Sequence, residues 1–172
     1  MCRFLYIILF IPLFSFGQHS FWFDQPVYPE VDVKDLPFAD SLHTRTFHDM
    51  ETYRQLLFRY INWERMNCDL PPLQRDSILM KNSQDWANYM ARWNKYKHTG
   101  KNVVEIINKG HNMLQLLHRE VAYICVGSWM DSEPHRDAIL DPDLKSIGIG
   151  CAEGKNDNFN CNTYFIVQFE YE

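Results

Sequence analysis

Two of the seven histidines, His98 and His135, invite a joint reading. They stand far apart in the chain, so no local His-x-x-x-His spacing links them and only a fold could bring them together. Imidazole is the commonest neutral metal ligand and titrates near neutral pH. Two imidazoles and a carboxylate with one open position would form a catalytic-type zinc arrangement, able to lower the pKa of a bound water to about 7. The bland alternative is that each ring makes only surface or capping hydrogen bonds. Arg136 follows His135 directly and offers a forked donor for an anion, against the simpler role of pairing with Asp131 or Asp137 to fix a loop. Ser132 lies three residues before His135, a spacing that rarely gives a nucleophile–base pair its geometry. Asn62 and Arg65 share one face of a helix, where structural hydrogen bonding is the stronger reading. Trp86, Trp93 and Trp129 could stack sugars, but Trp86 and Trp129 fall on or beside core stripes. His43, His48, His111 and His118 have no motif around them.

The elements that must position these groups follow from periodicity. A first helix is expected from Thr46, with Asp49 three residues on as a capping-box-like pair. Met50, Tyr53, Leu57, Tyr60 and Ile61 then mark its buried face, and Pro71-Pro72 end whatever continues past Cys68. A second helix starts near Asp76 or Ser77 with the stripe Leu79, Ser83, Trp86, Ala87 and Met90. A third is expected after Gly110, capped by Asn112 with Gln115 three residues on. Its stripe is Leu114, Leu117, Val121, Ile124, Cys125 and Ser128, and Gly127 weakens its end by up to about 1 kcal/mol relative to Ala. Between them, Val103–Ile107 is a β-branched run suited to a strand. Ile147–Cys151 and Tyr164–Phe169 read as a hairpin around a polar loop.

The 22 acidic and 17 basic residues give a formal charge of −5, which excludes the basic face a nucleic-acid binder needs. With 46% hydrophobic residues against 23% charged, the chain is a packed globular domain rather than a disordered one. Residues 1–17 carry Arg3 ahead of an uncharged run from Phe4 to Phe16. That run is shorter than the ~20 residues of a membrane-spanning helix and fits the apolar region of a signal peptide cleaved before Gln18. Residues 18–45, with Pro26, Pro29 and Pro37, read as an extended arm, and 46–172 as the single folded domain. The mature chain is expected to be secreted, extracellular or periplasmic, with no membrane-spanning segment. Cleavage removes Cys2 and leaves four cysteines, compatible with disulfides. Antiparallel pairing of the hairpin would set Cys151 opposite Cys161 at bridging distance, Cα atoms about 4.4–6.8 Å apart. This leaves Cys68 with Cys125, although Cys125 on a helical core stripe is equally well a buried free thiol.

Four ordered segments resemble the CAP superfamily of cysteine-rich secretory, antigen 5 and pathogenesis-related 1 proteins. They are Asn62-x-x-Arg65 with Leu70-Pro71-Pro72-Leu73; Trp86-Ala87 with His98; Glu105-Ile106; and Trp129-Met130-Asp131-Ser132-Glu133-Pro134-His135-Arg136 leading to Ile139-Leu140 and Ile147-Gly148-Ile149-Gly150. The last block is similar to the bacterial-type, SCP-like version of the family. Ile106 replaces the family's Asn after Glu, and Pro134 replaces a Gly often found before His-Arg. The resemblance implies an α+β fold, a three-layer α-β-α sandwich with a small central antiparallel sheet and a central cleft. It implies that His98, Glu105 and His135 converge to line that cleft beside Arg136, as tentative ligands for zinc or another divalent metal. The expected partner is a small molecule, lipid or glycan, with no nucleic acid. A metal-assisted hydrolase, peptidase or esterase, is the rival reading, and a cell-surface interaction module is a third.

Overall fold

The computed structural model describes residues 49–111, 118–155 and 161–171. The expected segments 1–17 and 18–45, and the cap at Asn112, lie outside the described residues.

Helix α1 spans Met50–Asn67. It begins later than the Thr46 start expected from sequence, because Asp49 is itself the cap. Its carboxylate accepts from the backbone N–H groups of Glu51 and Thr52 at 3.0 and 3.3 Å, two of the donors a helix start leaves unpaired. Strand β1 is the short Gln74–Arg75. Helix α2 spans Ser77–Trp93, capped by Asp76 as its sequence suggests, and stops at Asn94, which adopts the left-handed conformation. Strand β2, Val104–His111, runs one residue past Gly110. Helix α3 is described over His118–Asp131. A short helix α4, Glu133–Ile139, follows with Pro134 in its first turn. Strands β3, Ser146–Lys155, and β4, Cys161–Glu170, complete the chain.

The sheet order is β1-β3-β4-β2. The three long strands are antiparallel, as expected, but β1 joins the edge in parallel to β3, so the sheet is mixed. Helix α2 covers one face, and α1 with α3 covers the other. Both faces of β4 are therefore dry, which explains its nearly continuous apolar run. Tyr164 and Ile166 pack on Ala87 and Met90 of α2, while Phe165 meets Tyr53 of α1 edge-on at 5.6 Å.

The close seat of α2 depends on β3. A Cβ at Gly148 would lie 2.2 Å from the Leu79 carbonyl carbon, one at Gly150 2.1 Å from the Ser83 carbonyl oxygen, and one at Gly154 2.6 Å from that of Ala91. On this face of the strand Gly148, Gly150 and Gly154 are bare, and 152 is only Ala, so that a helix backbone can lie on it.

The hairpin corrects both expected disulfides. Strand β3 runs four residues beyond Cys151, so Cys151 pairs with Phe165 and Cys161 with Lys155. Four residues of strand, at about 3.4 Å each, place Cys151 far outside bridging range of Cys161. Cys125 and Cys151 are free, buried thiols, and burial raises the pKa of each. Cys68 is disulfide-bonded, but not to Cys125.

Two other expectations need adjustment, at Ile124 and Trp86, while the core reading of Trp129 holds. Ile124, assigned to the core stripe of α3, is 43% exposed. Trp129 is fully buried and donates from Nε1 to the Ile107 carbonyl at 3.0 Å, as a core residue would. Trp86 is only half-buried, stacked on Tyr89 at 4.7 Å.

Candidate functional site

Glu105 projects from β2 toward the α2 side of the sheet, in register with Gln168. Its side chain is only 4% exposed, and it accepts four hydrogen bonds. Oε1 receives the Thr99 backbone N–H at 2.9 Å and His98 Nδ1 at 2.8 Å. Oε2 receives the Thr99 hydroxyl at 2.8 Å and Gln168 Nε2 at 3.0 Å. Gln168 is held in turn by Ser83, whose hydroxyl lies 3.1 Å from both Gln168 Oε1 and the Gly148 carbonyl. The chain of contacts therefore runs from the α2–β3 seam, through a buried amide, to the carboxylate and then to His98.

His98 is 55% exposed, four residues past the Asn94 cap. An ionised carboxylate only accepts, so Nδ1 carries the proton in the contact with Glu105. The neutral ring then presents the bare Nε2 lone pair away from Glu105. This is the arrangement by which a carboxylate orients a ligating or base-acting imidazole.

His135 lies in the first turn of α4, half-buried. Its pKa is lowered, first by burial and then by the charge of His98. Helix α4, which carries His135, packs on β2, which carries Glu105.

Arg136 donates from Nη1 to the Met130 carbonyl at 3.0 Å, which ties α4 to the end of α3. Among the described residues it forms no ion pair with Asp131 or Asp137, so the loop-fixing pairing weighed from the sequence is not what holds it. Arg65 and Asn62 are structural, as expected. Arg65 is fully buried and bonds the carbonyls of Pro71, Ile139 and Asp141, while Asn62 exchanges two bonds with Leu73.

The donor set fits a three-residue metal centre poorly. A carboxylate offers about four lone-pair positions, and Glu105 has committed all of them to protein donors. Among the described residues, no three of His, Cys, Asp and Glu group as a metal set. Of the expected set His98, Glu105 and His135, His98 and Glu105 are in direct contact, with the carboxylate as the group that aims the ring. Thr99 and Gln168 were not singled out from the sequence, and Ser83 only as part of the α2 stripe. Gln168 carried a signal nonetheless, as a polar residue inside an apolar strand.

Residues 58–169, well over half the chain, match the sequence profile of the cysteine-rich secretory protein family, CAP. The chain belongs to that family. No curated protein is a significant match to this CAP chain. Among solved structures, an outer surface protein from Borrelia burgdorferi is similar at 18% identity and TM-score 0.53, covering 73% of this chain and 97% of that one. The structure of NaASP2 with Zn2+ is similar at 12% identity and TM-score 0.52, covering 73% and 83%. Hookworm platelet inhibitor is similar at 12% identity and TM-score 0.51, covering 77% and 76%. At such identities the likeness establishes the shared CAP fold, an α-β-α sandwich. No helix among the described residues is long and apolar enough to cross a membrane.

Proposed function

We propose that this CAP domain is an exported binding protein whose cleft holds the hydroxyl-rich part of a small ligand, a glycan or lipid headgroup, between His98 and His135. The observation that carries this reading is the four-fold clamp on Glu105, which leaves the carboxylate no free lone pair and orients His98 with Nε2 outward. A bare imidazole nitrogen accepts from a ligand hydroxyl, and a second ring, kept neutral near pH 7 by its lowered pKa, offers both a donor and an acceptor beside it. Export is supported by the sequence pattern of residues 1–17 and by the family.

The metal-assisted hydrolase is the weaker reading. NaASP2 has been seen with Zn2+, and His98 and His135 are the residues of this chain that would hold such an ion. With Glu105 spent, no three-ligand catalytic centre is at hand, and we derive no hydrolytic step through a metal.

The test is an NMR titration of the secreted chain with chito-oligosaccharides, phosphocholine and Zn2+ in turn, reading the imidazole signals. Saturable shifts of His98 and His135 with one of the organic probes, abolished in the His98→Ala/His135→Ala double variant, are expected. Probe binding unchanged in the double variant would sink the assignment. Peptide or ester hydrolysis that disappears in that variant would replace it with the hydrolase reading.

A further inference from the structure

We propose that a second cleft, at the open edge of β3, binds a small organic cation with N–H donors, an alkylammonium or alkylguanidinium ion, through Glu153. The cleft has a volume of about 440 Å3 and is walled by Met50 of α1, Gln84, Asn88 and Arg92 of α2, and Glu153 and Gly154 of β3. That volume lies within the ~300–1,000 Å3 range of small-molecule pockets. It is separate from the histidine cleft. Glu105 is in register with Gln168 and Glu153 with Thr163, five positions apart along β4, or about 17 Å at ~3.4 Å per residue. The two carboxylates also lie on strands flanking β4 on opposite sides.

The cleft arises from an interrupted pattern. Among the described residues, the outer edge of β3 beyond β1 has no strand partner, and α2 side chains cover it one by one. Met80 Sδ accepts the Ile149 N–H at 3.2 Å. Gln84, one helical turn on, accepts the Cys151 N–H at 3.2 Å and donates to the Cys151 carbonyl at 2.8 Å. Four helical residues rise about 6 Å and two strand residues about 6.7 Å, so the partners advance together. The next pair would be Asn88 with Glu153. Asn88 instead accepts from Gln84 Nε2 at 3.0 Å, and by strand alternation the peptide group of Glu153 faces the open edge.

The Glu153 side chain gives the cleft its charge preference. Among the described residues, its Oε1 is buried with no hydrogen-bond partner. A carboxylate oxygen in that state calls for a donor, since leaving it desolvated and unpaired is costly. The nearby cation cannot supply one. Arg54 is bound to Glu51 through Nε at 2.8 Å and Nη2 at 2.5 Å, and to Gln84 through Nη1. Arg92, on the wall, lies over the Trp93 ring at 5.2 Å and makes no described ion pair with Glu153. A ligand ammonium or guanidinium seated in the cleft would supply the missing donor.

The probe is agmatine, titrated into the secreted chain at neutral pH and low salt and followed by amide NMR. Saturable shifts are expected at Ala91, Glu153 and Gly154, with at least tenfold weaker binding in Glu153→Gln and in wild type titrated with tetramethylammonium, which carries the charge without the donors. Asn88→Leu, altered on the exposed side of α2, should also weaken agmatine while leaving the rest of the spectrum in place. The proposal is overturned if wild type shows no saturable shift up to about 10 mM, if folded Glu153→Gln binds agmatine as tightly, or if the shifts fall on His98 and His135 instead.

Discussion

Replacing Glu105 by Ala tests whether the carboxylate is what holds His98, Thr99 and Gln168 in place. Four donors lose their acceptor at once. The His98 ring, 55% exposed, turns to water at little cost, and the Thr99 hydroxyl can reorient. Gln168 Nε2, on a residue only 2% exposed, and the part-buried Thr99 N–H cannot be re-paired without water entering. Hydrogen bonds to charged groups contribute about 1.5–3 kcal/mol each, so two unreplaced bonds give a loss of about 3 kcal/mol or more. Glu105→Gln should be much milder, about 1 kcal/mol. If Gln168 flips, its oxygen meets the new amide and its nitrogen meets Ser83, so every group keeps a partner. Urea denaturation supplies both values, and imidazole 15N shifts report the tautomer. Wild-type His98 should carry its proton on Nδ1, and Glu105→Ala should lose that preference. A cost below about 1 kcal/mol for the Ala variant, with His98 still protonated at Nδ1, would refute the clamp.

Three further outcomes are expected. Gly150→Ala must push the α2 backbone off β3, since its Cβ would sit 2.1 Å from the Ser83 carbonyl oxygen; the cost should be about 3 kcal/mol, the upper end of ordinary overpacking, measured by thermal or urea unfolding. Arg65→Met leaves the carbonyls of Pro71, Ile139 and Asp141 without a donor and should cost about 3–5 kcal/mol in the same assay, despite the removal of a buried charge. The lowered pKa of His135 means the unfolded chain binds more protons just below the ordinary value of 6.5, so stability should fall as pH drops through that window, and His135→Asn should flatten the fall in pH-dependent unfolding curves.

Most of the frame was legible because periodicity and capping are local. Asp76 before Ser77, the apolar run Tyr164–Phe169 and the alternating glycines of Ile147–Gly150 all mark elements that form. Helix α4 escaped notice because seven residues offer too little periodicity, although Ser132 and Pro134 fit a helix start. The cysteine pairing failed on register: the hairpin closes four residues beyond Cys151, and loop chemistry alone does not say where a strand ends. His98, Glu105 and His135 were legible only through the resemblance, and what Glu105 does was not legible at all. Its role depends on Thr99 and Gln168, and the second of these is a cross-strand neighbour that no spacing in the chain announces. The cleft at Glu153 is likewise a matter of what fails to meet across two elements.

The bare face of β3 also bears on the order in which the chain assembles. Ser83 and Gly148 are 65 residues apart, so α2 is synthesised, and can wind, long before the surface that seats it exists. Its docking is a non-local event whose loop-closure entropy must be met before any contact is gained. Backbone lies on backbone at this seam, so it offers few half-formed intermediates: water is present between the two elements until they close, and then it is gone. Alanine at Gly148, Gly150 or Gly154 should therefore report on timing as well as stability. If the seam closes after the folding transition state, these substitutions will speed unfolding and leave the folding rate almost unchanged.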